Sequence, residues 1–355
     1  MSFGDGRTGG KARLAQECAA VSGCFFADCI LSGNLGVSSG VRSPPSPCYD
    51  NGSAAFTGGG VAAGRLARFR VQLTFWWRHG RLANLARPRL LTEQVQRRKL
   101  EDRDPRYPRL ADKVAVKAHV AETLGARWVL PTLWRGSRLP AEAAWPLPFV
   151  VKSRHGCGHV AVIRTPADYK RARRHSRRWM RTTYGLWLDE WLYTQIPSGL
   201  LVEPYIGSDL ELPIDYKLFV FGGRVRYVQV HLSRASRHRW VVLDTAWRRV
   251  SPLTPDDDPT RPASLGQMIE AAETLGAEFD FVRADFYEVD GRPLFGELTF
   301  YPGSGLERVA PPALDEAMGR WWSEARSAAQ PSSGTRRRSF RASGPSSAST
   351  AAANM

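Results

Sequence analysis

A chain of 355 residues, 43% of them hydrophobic and 12 of them Trp, can bury one large core or two modest ones, which excludes a wholly disordered polymer. The formal net charge of +16 calls for an anionic partner (nucleotide, acidic glycan, anionic lipid or nucleic acid) or marks a solubilising arginine-rich surface, and composition favours neither. No apolar run is long enough to cross a bilayer, and Cys18, Cys24, Cys29, Cys48 and Cys157 match no CxxC metal spacing and leave an odd count, so a cytoplasmic setting without a closed disulfide framework is expected.

Residues 1–64 are rich in Gly, Ser and Ala and carry no persistent period, so no packed structure is expected there. From residue 324 the chain returns to that composition with Arg336-Arg337-Arg338, a solvated basic tail. The folded domain is therefore expected over residues 65–323. Within it, residues 112–124 read as a helix capped by Asp112 and ended by Gly125. Residues 149–152 and 160–163 read as short strands around a His-Gly-Cys-Gly loop. Asp168 opens a strongly basic helix that Trp179 and Met180 can anchor. A strand follows over 200–205, then a hairpin of 216–221 and 225–231 around Gly222-Gly223, and a further strand over 239–244. Ser264 and Gln267 form a Ser-x-x-Gln start for a helix whose stripe is Leu265, Met268, Ile269, Ala272 and Leu275, with Gly276 at its end. Two strands, 281–289 and 293–300, meet at Asp290-Gly291. Strands dominate the second half, which predicts an α+β fold with mainly antiparallel sheets.

Several polar residues stand out against this apolar framework. Lys152, leaving one strand just before His155, Gly156 and Gly158, suits a loop whose amides and ammonium close on phosphate, although a Gly-rich hairpin with a stray lysine is as common. Asp285 and Glu297 lie in otherwise apolar strands. A two-residue turn pairs Asp285 with Gly296, whereas a loop one residue longer sets it opposite Glu297. Facing carboxylates need cations, either Mg²⁺ with nucleotide phosphates or an ordinary ion pair with Arg283. Glu203 and Tyr205 at a strand end read as a nucleotide hinge or a plain polar terminus. Asp215 and Lys217 open the next strand, where a lysine either points inward to a phosphate or out to solvent. His231, Arg234, His238 and Arg239 form an anion-binding group or a basic surface. No arrangement of Ser, His and Asp or of Cys and His offers a nucleophile, and Cys157 is assigned no catalysis.

In this order the segments resemble the TupA-like branch of the ATP-grasp superfamily. The resemblance is carried by Asp112-Lys113, Val116-Lys117, the Lys152 strand with its glycine loop, Val202-Glu203-Pro204-Tyr205, Asp215-Tyr216-Lys217, His238-Arg239, Arg283-Ala284-Asp285 and, most specifically, the run from Gly296 and Glu297 through Thr299 and Pro302 to Gly305. It implies two α+β subdomains clamping ATP. Lys113 and Lys152 would contact phosphates, with His155, Gly156 and Gly158 in the covering loop. Glu203 and Tyr205 would hold adenine, and Asp215 the ribose side. Arg283 would touch the transferred phosphate, with Lys217 and His238 as further catalytic residues. Asp285, Glu297 and Thr299 would ligate Mg²⁺, Thr299 standing where many ATP-grasp enzymes have Asn. The implied reaction forms an acyl phosphate from a substrate carboxylate and then joins it to an amine. The implied substrates are acidic glycans or amino acids, with polysaccharide-synthesis glycosyltransferases as partners and peripheral membrane contact allowed. A kinase or a glycosyltransferase-associated protein of the same pathway is the alternative. A non-catalytic basic anion binder is another, although no nucleic-acid motif accompanies the charge.

Overall fold

The computed structural model describes residues 60–329 apart from 209–211, 233–238 and 254–257. Helix α1 (Gly60–His79) opens before the expected boundary at 64, and α8 (Pro312–Ala329) runs past 323. Between them lie α2 (Leu91–Glu101), α3 (Arg106–Ala111), α4 (Ala115–Leu124), a 3-10 turn (Ala126–Trp128), β1 (Trp134–Gly136), β2 (Phe149–Ser153) and β3 (Val160–Ile163). They are followed by α5 (Pro166–Trp179), α6 (Trp191–Thr194), β4 (Leu200–Pro204), β5 (Asp215–Phe221), β6 (Arg224–Leu232) and β7 (Arg239–Asp244). The last elements are α7 (Leu265–Gly276), β8 (Phe281–Val289), β9 (Arg292–Thr299) and a 3-10 turn (Pro302–Gly305) before α8.

The strands form two sheets, ordered β1-β4-β2-β3 and β7-β6-β5-β8-β9, and every named pairing is antiparallel. The expected α+β class with mainly antiparallel sheets holds. Alternation along the five-stranded sheet sorts its residues by face. Tyr216, Leu218 and Val220 share one face with Val228, Val230, Ala284 and Phe286. That face packs on Leu265, Met268, Ala272 and Leu275 of α7, all 3% exposed or less. Burying each such side chain contributes roughly 1.5–3 kcal/mol of transfer free energy. The opposite face carries Asp215, Lys217, Gln229, Arg283, Asp285, Glu297 and Thr299, and is the face that matters for function.

Two helix starts differ from the sequence expectation. The helix predicted over 112–124 starts three residues late: a separate helix α3 ends at Ala111, and α4 begins at Ala115. Asp112 accepts from Val114 N (2.9 Å) and from Arg154 Nε (2.7 Å) instead of capping the start of α4. A charged guanidinium is the stronger partner. At α7, Ser264 makes no side-chain cap; its hydroxyl donates to Glu288 of β8 (2.5 Å), whose carboxylate also accepts from Ser264 N (2.8 Å). The basic helix α5, by contrast, has a full capping box between Thr165 and Asp168.

Candidate active site

The site is built on a cross-strand row. Register aligns Val242, Gln229, Lys217, Asp285 and Glu297 across β7, β6, β5, β8 and β9. The β8–β9 turn has only two residues between Val289 and Arg292, Asp290 (φ 52°) and Gly291 (φ 71°), the doubly left-handed turn that suits a tight hairpin. That turn alone would pair Asp285 with Gly296. A bulge shifts the register between Asp285 and Phe286, so Phe286 faces Phe295 while Asp285 faces Glu297. The extra residue is Gly296, where a Cβ would come within 3.1 Å of the Asp285 carbonyl oxygen. The carboxylates therefore meet through a bulge and not through a longer loop.

Asp285 is only 2% exposed and fully engaged. Arg283 donates to both its oxygens, Nε to Oδ1 and Nη2 to Oδ2, each at 2.7 Å. Lys217 Nζ sits 2.5 Å from Oδ2 and 2.7 Å from Asp215 Oδ2. Protein cations thus provide the neutralisation that two facing carboxylates require. Burial lowers the Lys217 ammonium's affinity for its proton, but Asp215 and Asp285 more than offset this and hold it above its ordinary value. The Asp285 carboxyl is raised by burial against the pull of Arg283 and Lys217. Glu297 differs. Its side chain is 34% exposed, it accepts from Thr299 Oγ1 at 3.1 Å and lies 3.5 Å from Arg283 Nη2. Burial raises its carboxyl, yet Lys113, then Lys217 and Arg283, bring it below its usual range.

Lys113 lies just before α4, whose Val116 and Val120 pack in the same core as the five-stranded sheet. Its Nζ donates to Gly156 O (2.7 Å), so it ties the glycine loop between β2 and β3 to the start of α4. Lys152 Nζ lies 2.7 Å from Glu203 Oε2, and Lys117 pairs with the other carboxylate oxygen while also donating to Leu130 O and Thr132 Oγ1 (2.9 Å each). Glu297 and Tyr287 act on the charge of Lys152, so this lysine of the four-stranded sheet looks across at a carboxylate of the five-stranded one. Burial opposes ionisation of Glu203, but Lys152 and Lys117 hold its carboxyl down at about 2. A carboxyl displaced that far from 4.5 contributes on the order of 3 kcal/mol to stability, part of which the burial cost of Lys117 takes back. Because the folded value lies below the unfolded one, this contribution is present above about pH 4.5 and is lost as pH falls toward 2. Glu203→Gln should therefore unfold at lower denaturant concentration than wild type at neutral pH, with the gap closing in acid.

The remaining predicted residues fall into place as follows. Asp215 sits 2.7 Å from Lys217, inside the Asp285 network. His155 is 2% exposed, and its ring nitrogens meet Trp179 O (3.2 Å) and Gly199 N (3.3 Å), so it anchors the base of the loop with its side chain already engaged by backbone. At Gly156 a Cβ would approach His159 Nδ1 to 2.7 Å, and Gly158 has φ +77°, so both glycines answer to local geometry. Cys157 is disulfide-bonded, which the odd cysteine count did not anticipate; the other four cysteines lie outside the described residues. Tyr205 donates to Ser208 O (3.1 Å) and accepts from Arg164 Nη2 (3.0 Å), closing the end of β4. His238 lies outside the described residues, as do Arg234 and the 1–59 and 330–355 segments.

With the geometry in place, sequence comparison decides the family. The sequence pattern of the TupA-like ATP-grasp proteins matches residues 93–322. The chain belongs to the TupA-like ATP-grasp family. No curated protein matches it. Among solved structures it is similar to the D-alanine–D-alanine ligase of Bacillus anthracis (15% identity, TM-score 0.39, covering 62% of this chain and 67% of that one). It is also similar to the VanG D-Ala:D-Ser ligase of Enterococcus faecalis (14%, 0.39, 62% and 61%) and the L-amino acid ligase of Bacillus licheniformis (14%, 0.35, 60% and 43%). These likenesses are distant, and the family assignment rests on the sequence pattern.

For a TupA-like ATP-grasp protein, the oxygen donors of Asp285, Glu297 and Thr299 have the right hardness for Mg²⁺; Glu297 is the open donor, whereas Asp285 would have to share its oxygens between the ion and the Arg283 and Lys217 that already hold them. Among the described residues no three His, Cys, Asp or Glu side chains gather as a metal cluster, so the fit rests on those two carboxylates and a hydroxyl. Sequence reasoning did not pair Lys117 with Glu203, carried Gln229 only as part of the resembling Val228-Gln229-Val230 segment without a role, and did not single out Glu307. Lys117 lies four residues beyond Lys113, and Gln229 lies opposite Lys217, so periodicity and register held both signals. Glu307, with Gln229, Trp240 and Pro302, lines a small cavity against Arg283.

Proposed function

We propose that this chain is an ATP-dependent ligase that activates a substrate carboxylate as an acyl phosphate and passes the acyl group to an amine during synthesis of a cell-surface polysaccharide. The observation that carries this reading is the row in which Glu297, the one partly open carboxylate, stands opposite Asp285 with Arg283, Lys217 and Lys113 grouped around it. Such a patch of fixed cations and carboxylates suits a phosphoryl group in transfer, where positioning and charge stabilisation supply most of the catalysis. Mg²⁺, when bound, would screen charge on the β- and γ-phosphates. Lys113 and Lys152 would orient the phosphates from the side of the glycine loop. Arg283, locked by its fork on Asp285, would present its remaining donor edge toward the cavity beside Glu307. In the reaction, a carboxylate oxygen bonds to the γ-phosphorus and the bond to the bridging oxygen of ADP breaks. The amine then bonds to the acyl carbon, inorganic phosphate leaves, and the amine loses a proton. The basic α5, carrying Lys170, Arg171, Arg173, Arg174, Arg177 and Arg178, suits an acidic glycan.

Hydroxylamine intercepts acyl phosphates, so the test is to incubate protein with Mg-ATP, hydroxylamine and pools of uronic acids, acidic oligosaccharides and amino acids. The expected result is hydroxamate in step with ADP. ADP with a stable phosphorylated sugar and no hydroxamate would instead support the kinase reading, and no ADP with any pool would remove the ligase reading.

A further inference from the structure

Helix α1 has two apolar faces. Val71 (1% exposed) and Phe75 (0%) turn inward and pack with Ala83, Leu85 and Leu306. Leu66, Phe69, Leu73 and Trp76 are 56%, 62%, 48% and 53% exposed. At 3.6 residues per turn these four fall within an arc of about 80° on the opposite side. Leu82, 62% exposed, continues the apolar surface just past the helix. Burying four large side chains inward would be ordinary packing; a row of them facing outward calls for a partner.

Charge names that partner. Residues 60–92 contain seven arginines and no Asp or Glu. Arg70 pairs with Asp189 and Arg81 with Glu93 (2.6 Å), whereas Arg65, Arg68, Arg87 and Arg89 are exposed, Arg68 with Glu101 at 3.9 Å. An apolar strip of Leu, Phe and Trp bordered by arginine is the make-up of a helix that lies in a membrane interface, its rings among the acyl chains and its guanidinium groups among phosphates. We propose that α1 is an interfacial anchor that lays its outward face on a membrane bearing anionic lipid headgroups. No helix among the described residues is long and apolar enough to cross a membrane, so the contact is along the surface. The anchor is tied to the active site. Arg78 Nε donates to Leu306 O (3.1 Å), His79 meets Gly305 O (3.2 Å), and Arg308 Nη2 donates to Arg78 O (2.9 Å). A membrane-seated α1 therefore sets the Pro302–Gly305 turn, and the cavity beside Glu307, next to the lipid surface. The inference stands whether or not the chain is a ligase.

The test is co-sedimentation of the full chain with vesicles of phosphatidylcholine alone or mixed with phosphatidylglycerol. Wild type is expected to partition to the anionic vesicles at least about tenfold more strongly than to the neutral ones. Phe69→Ser with Trp76→Ser, and separately Arg65→Glu with Arg89→Glu, should each lower that partition at least about tenfold with unchanged melting temperature. Failure of wild type to partition, or equal partition by the Phe69/Trp76 variant, would overturn the proposal. Self-association of wild type without lipid binding, abolished by the same variant, would assign the face to a second copy.

Discussion

Glu297→Gln is expected to lower ATP-driven hydroxamate formation about a thousandfold or more while leaving the fold intact, an effect in the range of removing one charged group from a phosphoryl-transfer site. The substitution keeps shape and leaves an amide oxygen to accept from Thr299, now 3.1 Å from the carboxylate. The side chain is 34% exposed and the amide is isosteric, so the substitution opens no cavity. What is lost is the negative charge that balances Lys113, Lys217 and Arg283 and completes the hard-oxygen pair with Asp285. Parallel measurement of hydroxamate, ADP and the thermal transition checks this. Wild-type turnover by the variant would show that Glu297 is a rim residue and that the row does not carry the chemistry.

Lys217→Met should be the most destabilising substitution in the site, costing about 3–5 kcal/mol at neutral pH, because it strips a shared counterion from two buried carboxylates. Asp215 and Asp285 are each 2% exposed, and Lys217 lies 2.7 and 2.5 Å from them. Arg283 continues to hold Asp285, so the chain should still fold. The pH dependence has a definite sign. The folded-state value of Asp285 is already raised by burial, and losing Lys217 raises it further. A carboxyl whose folded value exceeds its unfolded one favours the fold when protonated, and that advantage disappears as pH rises through the folded value. The deficit of Lys217→Met relative to wild type should thus be large near neutrality and shrink on acidification, as read by chemical denaturation at several pH values. A constant deficit would mean that the lysine acts through packing alone.

Much of this architecture is legible in the residues. Strand β3 spans the predicted residues, and the tight turns at Gly222-Gly223 and Asp290-Gly291 follow from glycine's tolerance of positive φ. The carboxylate pair could be found because charged residues in apolar strands stand out. Its register could not, because a bulge at Gly296 is a packing decision between strands and leaves no periodic trace in either one. The same limit explains Asp112 and Ser264. Local rules offer each a helix cap, but Arg154, 42 residues on, and Glu288, 24 residues on, are stronger partners that only the fold brings near. Lys217 shows the limit in another form: its strand position allowed an edge or an inward lysine, and the pairing of β5 between β6 and β8 makes it central and buried.

The central claim is that the row of Lys217, Asp285 and Glu297, faced by Lys113 and Lys152, binds Mg-ATP. Calorimetric titration of Mg-ATP into wild type and into Asp285→Asn with Glu297→Gln tests it most directly. Saturable binding by wild type that the double variant loses, with both proteins folded by circular dichroism, is the predicted result. No heat from folded wild type, or equal binding by the double variant, would contradict the claim.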